Sequence, residues 1–594
     1  MKKIIAALVV GVFLFGAALA GVSNQQDTVT VEKKNVIEKV YQFSQPEIRE
    51  KDNYAIVSLE GTKSIMQEGM PILPYKVDVM RFPVGTKINV EAKEGEIKEI
   101  KLSSKIKPYP MFTLLTTQGK LVVREGSVYE SDEAYPENWL DYRITVGLYN
   151  GERVATLSLF IYPCRYIPKE NKIIYTDKID VKIDYDLPTK PLFTNDEYDL
   201  LIISPDSWMA DLQPLKEHKE SHGIKTIIVG LNEIYGGKYF ASQGRDDAEK
   251  IKYFIKDAIE EWGIKYVMLV GGRKFTKEEW IMPVRYAYSI DNVPPFTENG
   301  YLSDLYFADV YKYEDGQPVF EDWDSNGNNF FAEYGHNGEY DVVDLYPDVY
   351  VGRLPCRNKI ELKTVVKKII EYENAMGEWR KRIILCGGDT DLHDVDDINE
   401  GEYLNEKVAE LMESFECIKL WTSNGMLSRK NFFKEMMKGA MFVDFSGHGS
   451  PNSWATHPHN SDEWIGITLF DILLYFNGNK LPIIFANACH TAQFNLTYEC
   501  FGWSFVKKIE GGAIAFIGST GLSYGFGGYA TADSLSGYLE IEFFRNYFNS
   551  SYVCEMFYNA IISYLNNIPM DDWQDFKSVE EYVLLGMPCL EINL

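Results

Sequence analysis

Two segments of this 594-residue chain carry side chains able to make and break a covalent bond. In Phe442-Val443-Asp444-Phe445-Ser446-Gly447-His448-Gly449-Ser450, a histidine stands between two glycines directly after an apolar run of strand length. In Leu481-Pro482-Ile483-Ile484-Phe485-Ala486-Asn487-Ala488-Cys489-His490, a cysteine takes the equivalent place after the next such run. A histidine beside a thiol stabilises the thiolate and later returns the proton to a leaving amine, which is the chemistry of a cysteine peptidase. The glycines let backbone approach a substrate carbonyl closely, and the amides of Gly449 and Cys489 are candidates for an oxyanion hole.

A lone cysteine after an apolar strand is commonly just a small buried hydrophobe, so the pairing with His448 carries the weight. Four of the eight histidines, His448, His457, His459 and His490, fall in this one stretch. That clustering admits a rival reading, a zinc-dependent hydrolase with cysteine and histidine ligands, although no H-x-x-x-H or C-x-x-C spacing supports it there. A further rival is a catalytically inactive scaffold that binds partners through calcium.

The elements that must position these residues are legible around them. Short apolar runs occur at 200–203, 226–229, 266–270, 383–386, 441–445, 482–486 and 513–517, with stretches of helical length between most of them. Strands alternating with helices predict an α/β architecture, parallel sheets flanked by helices, with chemistry just beyond the carboxyl ends of the strands. The residues between His448 and Cys489 leave room for one helical crossover, so their two strands are expected to be neighbours. Before this region, residues 21–190 read as β-rich. Ile179-Asp180-Val181-Lys182-Ile183-Asp184-Tyr185 alternates apolar and charged with period two. Two prolines in Leu187-Pro188-Thr189-Lys190-Pro191 then mark a linker. The expected units are 21–190, 196–370 and 371–594.

Gly447-His448-Gly449-Ser450…Trp454, followed by Asn487-Ala488-Cys489-His490-Thr491-Ala492-Gln493-Phe494…Glu499-Cys500-Phe501-Gly502, resembles the gingipain family of cysteine peptidases, which has a caspase-like fold. Residues 511–520, Val351-Gly352-Arg353-Leu354-Pro355 and the closing Leu585-Gly586-Met587-Pro588 are similar too, so the likeness covers about 196–594. The resemblance implies a cysteine-type endopeptidase made as a zymogen, with polypeptide substrates and the β-rich region as an inhibitory prodomain. It also implies a third catalytic candidate, Asp389 in Ile383-Ile384-Leu385-Cys386-Gly387-Gly388-Asp389, where a carboxylate would hold the imidazole in one tautomer. Asp389 is alternatively a helix cap, or one of a solvated acidic loop with Asp391, Asp394, Asp396 and Asp397. Lysine preference does not transfer, because Ser523-Tyr524-Gly525-Phe526-Gly527-Gly528-Tyr529 offers no acid before Asp533.

Asp322-Trp323-Asp324-Ser325-Asn326-Gly327-Asn328-Asn329-Phe330-Phe331-Ala332-Glu333 fits D-x-[DN]-x-[DN]-G-x₅-E without a gap. Asp322, Asp324, Asn326, Asn328 and Glu333 are therefore candidate ligands of a structural calcium ion, in a stand-alone loop, since the flanks lack paired amphipathic helices. At the N-terminus, Met1-Lys2-Lys3, an apolar stretch over 4–19 and Ala18-Leu19-Ala20 read as a signal peptide spanning 1–20. A secreted or cell-surface protein is expected, with no transmembrane segment in the mature chain. A net charge of −27 without a basic stripe argues against a nucleic-acid partner. Eight cysteines are too few for a disulfide scaffold.

Overall fold

Nearly every apolar run picked out above becomes a strand of one central sheet. The computed structural model describes residues 35–110, 113–114, 123–274, 279–291, 296–391 and 397–593. The expected signal peptide at 1–20 lies outside these residues, as do Asp394 and Asp396. In chain order the sheet uses β1 (Leu200–Ser204), β2 (Thr226–Gly230), β3 (Tyr266–Val270), β4 (Tyr350–Leu354), β5 (Arg382–Gly387), β6 (Glu416–Trp421), β7 (Phe442–Ser446), β8 (Ile483–Asn487), β9 (Ala515–Ser519) and β10 (Tyr582–Leu585). Their spatial order is β2-β1-β3-β4-β10-β9-β8-β7-β5-β6. Most are five residues of β-branched and aromatic side chains buried on both faces, which helices on each side of a parallel sheet require.

The sheet is mixed rather than wholly parallel. β10 pairs parallel to β4 through Arg353 and Leu585, and antiparallel to β9 from Phe516–Leu585 to Ser519–Tyr582. This late strand joins what would otherwise be two half-sheets, β1–β4 and β5–β9. The charged stretch at 363–372 buries one face in the core. It lies in the helix Lys359–Glu373, which buries Leu362, Val365, Val366, Ile369 and Tyr372. Lys368 is buried as well, its Nζ donating to the carbonyls of Val506 at 2.6 Å and Gly511 at 2.8 Å.

The N-terminal region is a set of small antiparallel sheets. One comprises Asn35–Gln42, Lys178–Asp186 and Lys87–Glu94; another Lys63–Ser64, Pro74–Pro83, Glu152–Ile161 and Leu140–Tyr149. In Lys178–Asp186 the alternation is realised, with Ile179, Val181 and Ile183 inward. This region docks closely on the α/β region. Leu148 donates its amide to the Pro347 carbonyl at 2.7 Å, and Tyr75 its hydroxyl to the Asn567 carbonyl at 2.9 Å. Gly147 is required at the junction, because a Cβ there would lie 2.5 Å from the Pro347 carbonyl oxygen. Residues 189–192 and 194–197 of the linker remain exposed. All eight cysteines are free. Among the described residues no helix is long and apolar enough to cross a membrane.

Candidate active site

The strands that carry the histidine and the cysteine are direct neighbours. β7 and β8 pair in parallel register from Phe442–Ile483 to Ser446–Asn487, and the Gly447 amide donates to the Asn487 carbonyl at 3.1 Å. His448 and Cys489 each follow two residues later, on the same carboxyl edge. Gly449 packs so tightly on the cysteine turn that a Cβ would sit 2.3 Å from the Cys489 carbonyl oxygen and 2.9 Å from the Ala488 Cβ. Only glycine lets the two loops meet at that separation.

Each loop is held by local structure. His448–Ser450 forms a small antiparallel sheet with Ser453–Thr456 and Ile465–Thr468. The buried His448 ring stands edge-on to Trp464 at 5.0 Å and stacks on His457 at 5.9 Å. On the other loop, His490 adopts a left-handed backbone (φ 58) that costs a non-glycine residue roughly 1–2 kcal/mol. Its amide donates to the Gly521 carbonyl at 2.8 Å, and its Nε2 meets Glu298 Oε1 at 3.0 Å. Glu298 also accepts from the Leu522 amide at 2.8 Å and from the buried Lys577 ammonium at 2.6 Å.

The Cys489 sulfur is buried against Ser523, accepting from its amide at 3.1 Å and donating to its carbonyl at 3.3 Å. Burial pushes the thiol well above its ordinary pKa, and the Ser523 amide pulls the other way. Part of that burial comes from the N-terminal region. Thr113–Leu114 pairs antiparallel with Tyr524–Gly525, one residue beyond Ser523. Tyr109 packs edge-on against Phe526 at 4.7 Å, in a cluster with Cys489, Leu522, Tyr524 and Leu535.

Asp389 lies fully buried at the end of β5, engaged by a different histidine from the one expected. Its Oδ2 meets His459 Nδ1 at 2.8 Å and its Oδ1 accepts from the Asp391 amide at 3.0 Å. Its own amide donates to the His457 carbonyl at 2.9 Å, so it supports the residues packed beside His448. The histidine cluster is divided, with His490 turned to Glu298 and His459 to Asp389. Among the described residues, no group of three or more His, Cys, Asp or Glu is arranged to hold a metal ion.

The acidic loop at 322–333 folds back on itself around Gly327. Arg245 bridges Asp322, at 2.8 Å, and Asp324. Asp324 accepts from the amides of Asn328 at 2.9 Å and Asn329 at 3.1 Å, and Glu333 Oε2 from the side-chain amides of Asn326 and Asn328. Glu333 Oε1 is buried with no hydrogen-bond partner. The oxygen donors suit a hard cation, while the Arg245 guanidinium already neutralises two of them.

Residues 193–593 match the family model described as Peptidase family C25, and residues 18–201 the model Propeptide_C25. The chain belongs to peptidase family C25. Relatives include Gingipain R2 of Porphyromonas gingivalis (strain ATCC BAA-308 / W83), 22% identical over 333 residues, covering 54% of this chain and 36% of that protein. Lys-gingipain HG66 of the same species is 24% identical over 194 residues, covering 30% and 10%. The chain thus spans about a third of the length of the first of these relatives. Similar solved structures include the Arg specific cysteine proteinase gingipain R, with a TM-score of 0.48 at 18% identity, covering 68% of this chain and 80% of that one. The complex of Porphyromonas gingivalis RgpB pro- and mature domains gives a TM-score of 0.45 at 18% identity, covering 66% and 79%.

Proposed function

We propose that this family member is a secreted cysteine endopeptidase made as a zymogen, in which Cys489 attacks the scissile carbonyl and His448 takes and returns the proton. The observation that carries this reading is the close packing of Gly449 on the Cys489 carbonyl at the shared edge of β7 and β8. Proton transfer demands such proximity. The oxyanion falls to the amides of Gly449 and Cys489, and Asp389 contributes through the histidine-bearing loop.

Latency follows from the same geometry. With the prodomain's Tyr109 and Thr113–Leu114 in place, the thiol is buried and its protonated form favoured, and Thr113–Leu114 fills the edge of Tyr524–Gly525. A polypeptide substrate would add there as an antiparallel strand once the prodomain leaves. The exposed linker at 189–197 is the natural place for the activating cut. The sequence at 1–20 supports secretion. We also propose that the 322–333 loop binds calcium, with Asp322, Asp324, Asn326, Asn328 and Glu333 as donors, once Arg245 swings away.

The deciding experiment digests a peptide library with the full chain after a cut between 187 and 195, beside Cys489→Ala and His448→Ala. Either substitution should reduce hydrolysis by more than about a thousandfold. Hydrolysis that survives Cys489→Ala and resists iodoacetamide refutes the proposal, and dependence on added zinc would favour the metal-dependent rival.

A further inference from the structure

A single buried carboxylate grips both catalytic strands. Glu540, on the helix Leu535–Arg545, accepts from the Ser446 hydroxyl at 2.5 Å and from the Asn487 side-chain amide at 2.7 Å. Ser446 and Asn487 are the last register pair of β7 and β8, and each lies two residues before a reactive side chain, His448 or Cys489. One rigid helical residue therefore fixes both strand ends from beneath the point where the loops diverge.

The grip is part of a buried polar network. Asn405 donates to Asp444 at 2.9 Å and to the Ser446 hydroxyl at 3.3 Å, and its own oxygen accepts from Trp421 Nε1 at 3.1 Å. Glu540, Asp444, Ser446, Asn405 and Asn487 are all buried. Burial drives the carboxyls of both Asp444 and Glu540 upward, Glu540 to about 7. A buried carboxyl is costly unless its hydrogen bonds are satisfied, and those of Glu540 are spent on the two strand ends beneath the site.

We propose that Glu540 is a positioning residue that sets the separation of His448 and Cys489 by holding Ser446 and Asn487 together. The proposal rests on the cysteine-peptidase reading for its consequence, but its test does not. Glu540→Gln is nearly isosteric and turns one of the two acceptor oxygens into a donor while leaving the interior filled.

The test is a double-mutant cycle on the full chain cut in its linker, comparing Glu540→Gln, His448→Ala and the double variant. Two rates are read: peptide hydrolysis, and alkylation of Cys489 by iodoacetamide across pH. The expected result for Glu540→Gln is a fall of at least about tenfold in kcat with KM within about threefold, and a matching fall in alkylation at neutral pH. In the His448→Ala background the alkylation cost should shrink to under about threefold, because the alignment being set is then gone. Equal costs in both backgrounds would reduce Glu540 to a structural role and overturn the proposal, as would unchanged rates in a folded Glu540→Gln protein. A parent that cleaves no peptide sinks the peptidase reading instead, and the alkylation cycle still judges Glu540.

Discussion

Replacing Gly449 with alanine puts the packing at the candidate dyad under direct test. The added methyl would stand 2.3 Å from the Cys489 carbonyl oxygen, 2.9 Å from the Ala488 Cβ and 2.9 Å from the Thr491 Cγ2, whereas ordinary contact begins at 3.4 Å. The worst clash is with backbone, so no side chain can rotate to relieve it, and the loops must separate by about 1 Å. A displacement of that size costs about 10²-fold when it falls between reacting groups. That corresponds to about 2.7 kcal/mol of activation free energy, while overpacking itself destabilises by about 1–3 kcal/mol. The assay is kcat and KM on a peptide substrate with the cut full chain, alongside a thermal melt. The expected outcome is a loss of about a hundredfold, chiefly in kcat, with a Tm lowered by a few degrees. A Gly449→Ala protein with kcat within twofold of the parent and an unchanged Tm would show that the two loops do not meet as described.

Three other outcomes follow from the same contacts. Tyr109→Ala removes the buried ring packed on Phe526, and loss of a buried aromatic costs about 3–5 kcal/mol, so latency should fail. Activity of the uncut chain measures this, and an inert Tyr109→Ala zymogen would count against it. Prodomain release after linker cleavage should be faster at pH 8 than at pH 5. Burial pushes Asp572, which faces Glu68 and Asp571, up to about 6, and it also raises Asp571, which faces Arg143 and Asp141. These carboxyls regain values near 4 when hydrated, so the bound state holds the extra protons. Its stability is full below that value and is lost as pH rises through about 6; identical release rates on a sizing column at the two pH values would contradict this. Calcium should raise the Tm, and more so in Arg245→Ala, where the competing guanidinium is gone; a Tm indifferent to calcium in both proteins would argue against ion binding at 322–333.

Much of this arrangement was readable in advance, and the unreadable part has a common cause. Runs such as Ile483-Ile484-Phe485 are short, β-branched and flanked by Pro482 and by residues of a turn, which marks them as strands buried on both faces, so β7, β8 and the edge carrying His448 and Cys489 emerged from local pattern. Asp389 stands just past a strand end, and the histidine its carboxylate meets is His459. The turn after Thr456 brings the His457 carbonyl to the Asp389 amide and so delivers His459 to the carboxylate. Glu298, Lys577 and Glu540 left no trace in the sequence. Among 87 acidic residues, nothing local separates one that will be buried beneath a site from one that faces water. Their roles come from chain segments far apart in number that only the finished fold unites. β10 escaped for a related reason, since Tyr582-Val583-Leu584-Leu585 follows the helix Trp573–Glu580 almost without a break.

The placement of β10 bears on biosynthesis. A ribosome delivers residues 582–585 long after their neighbour Arg353 has emerged, and until then the two flanking groups of strands have no shared seam. The segment that packs over the thiol, Tyr109 with Thr113–Leu114, is by contrast made well before Tyr524–Gly525, the strand it pairs with.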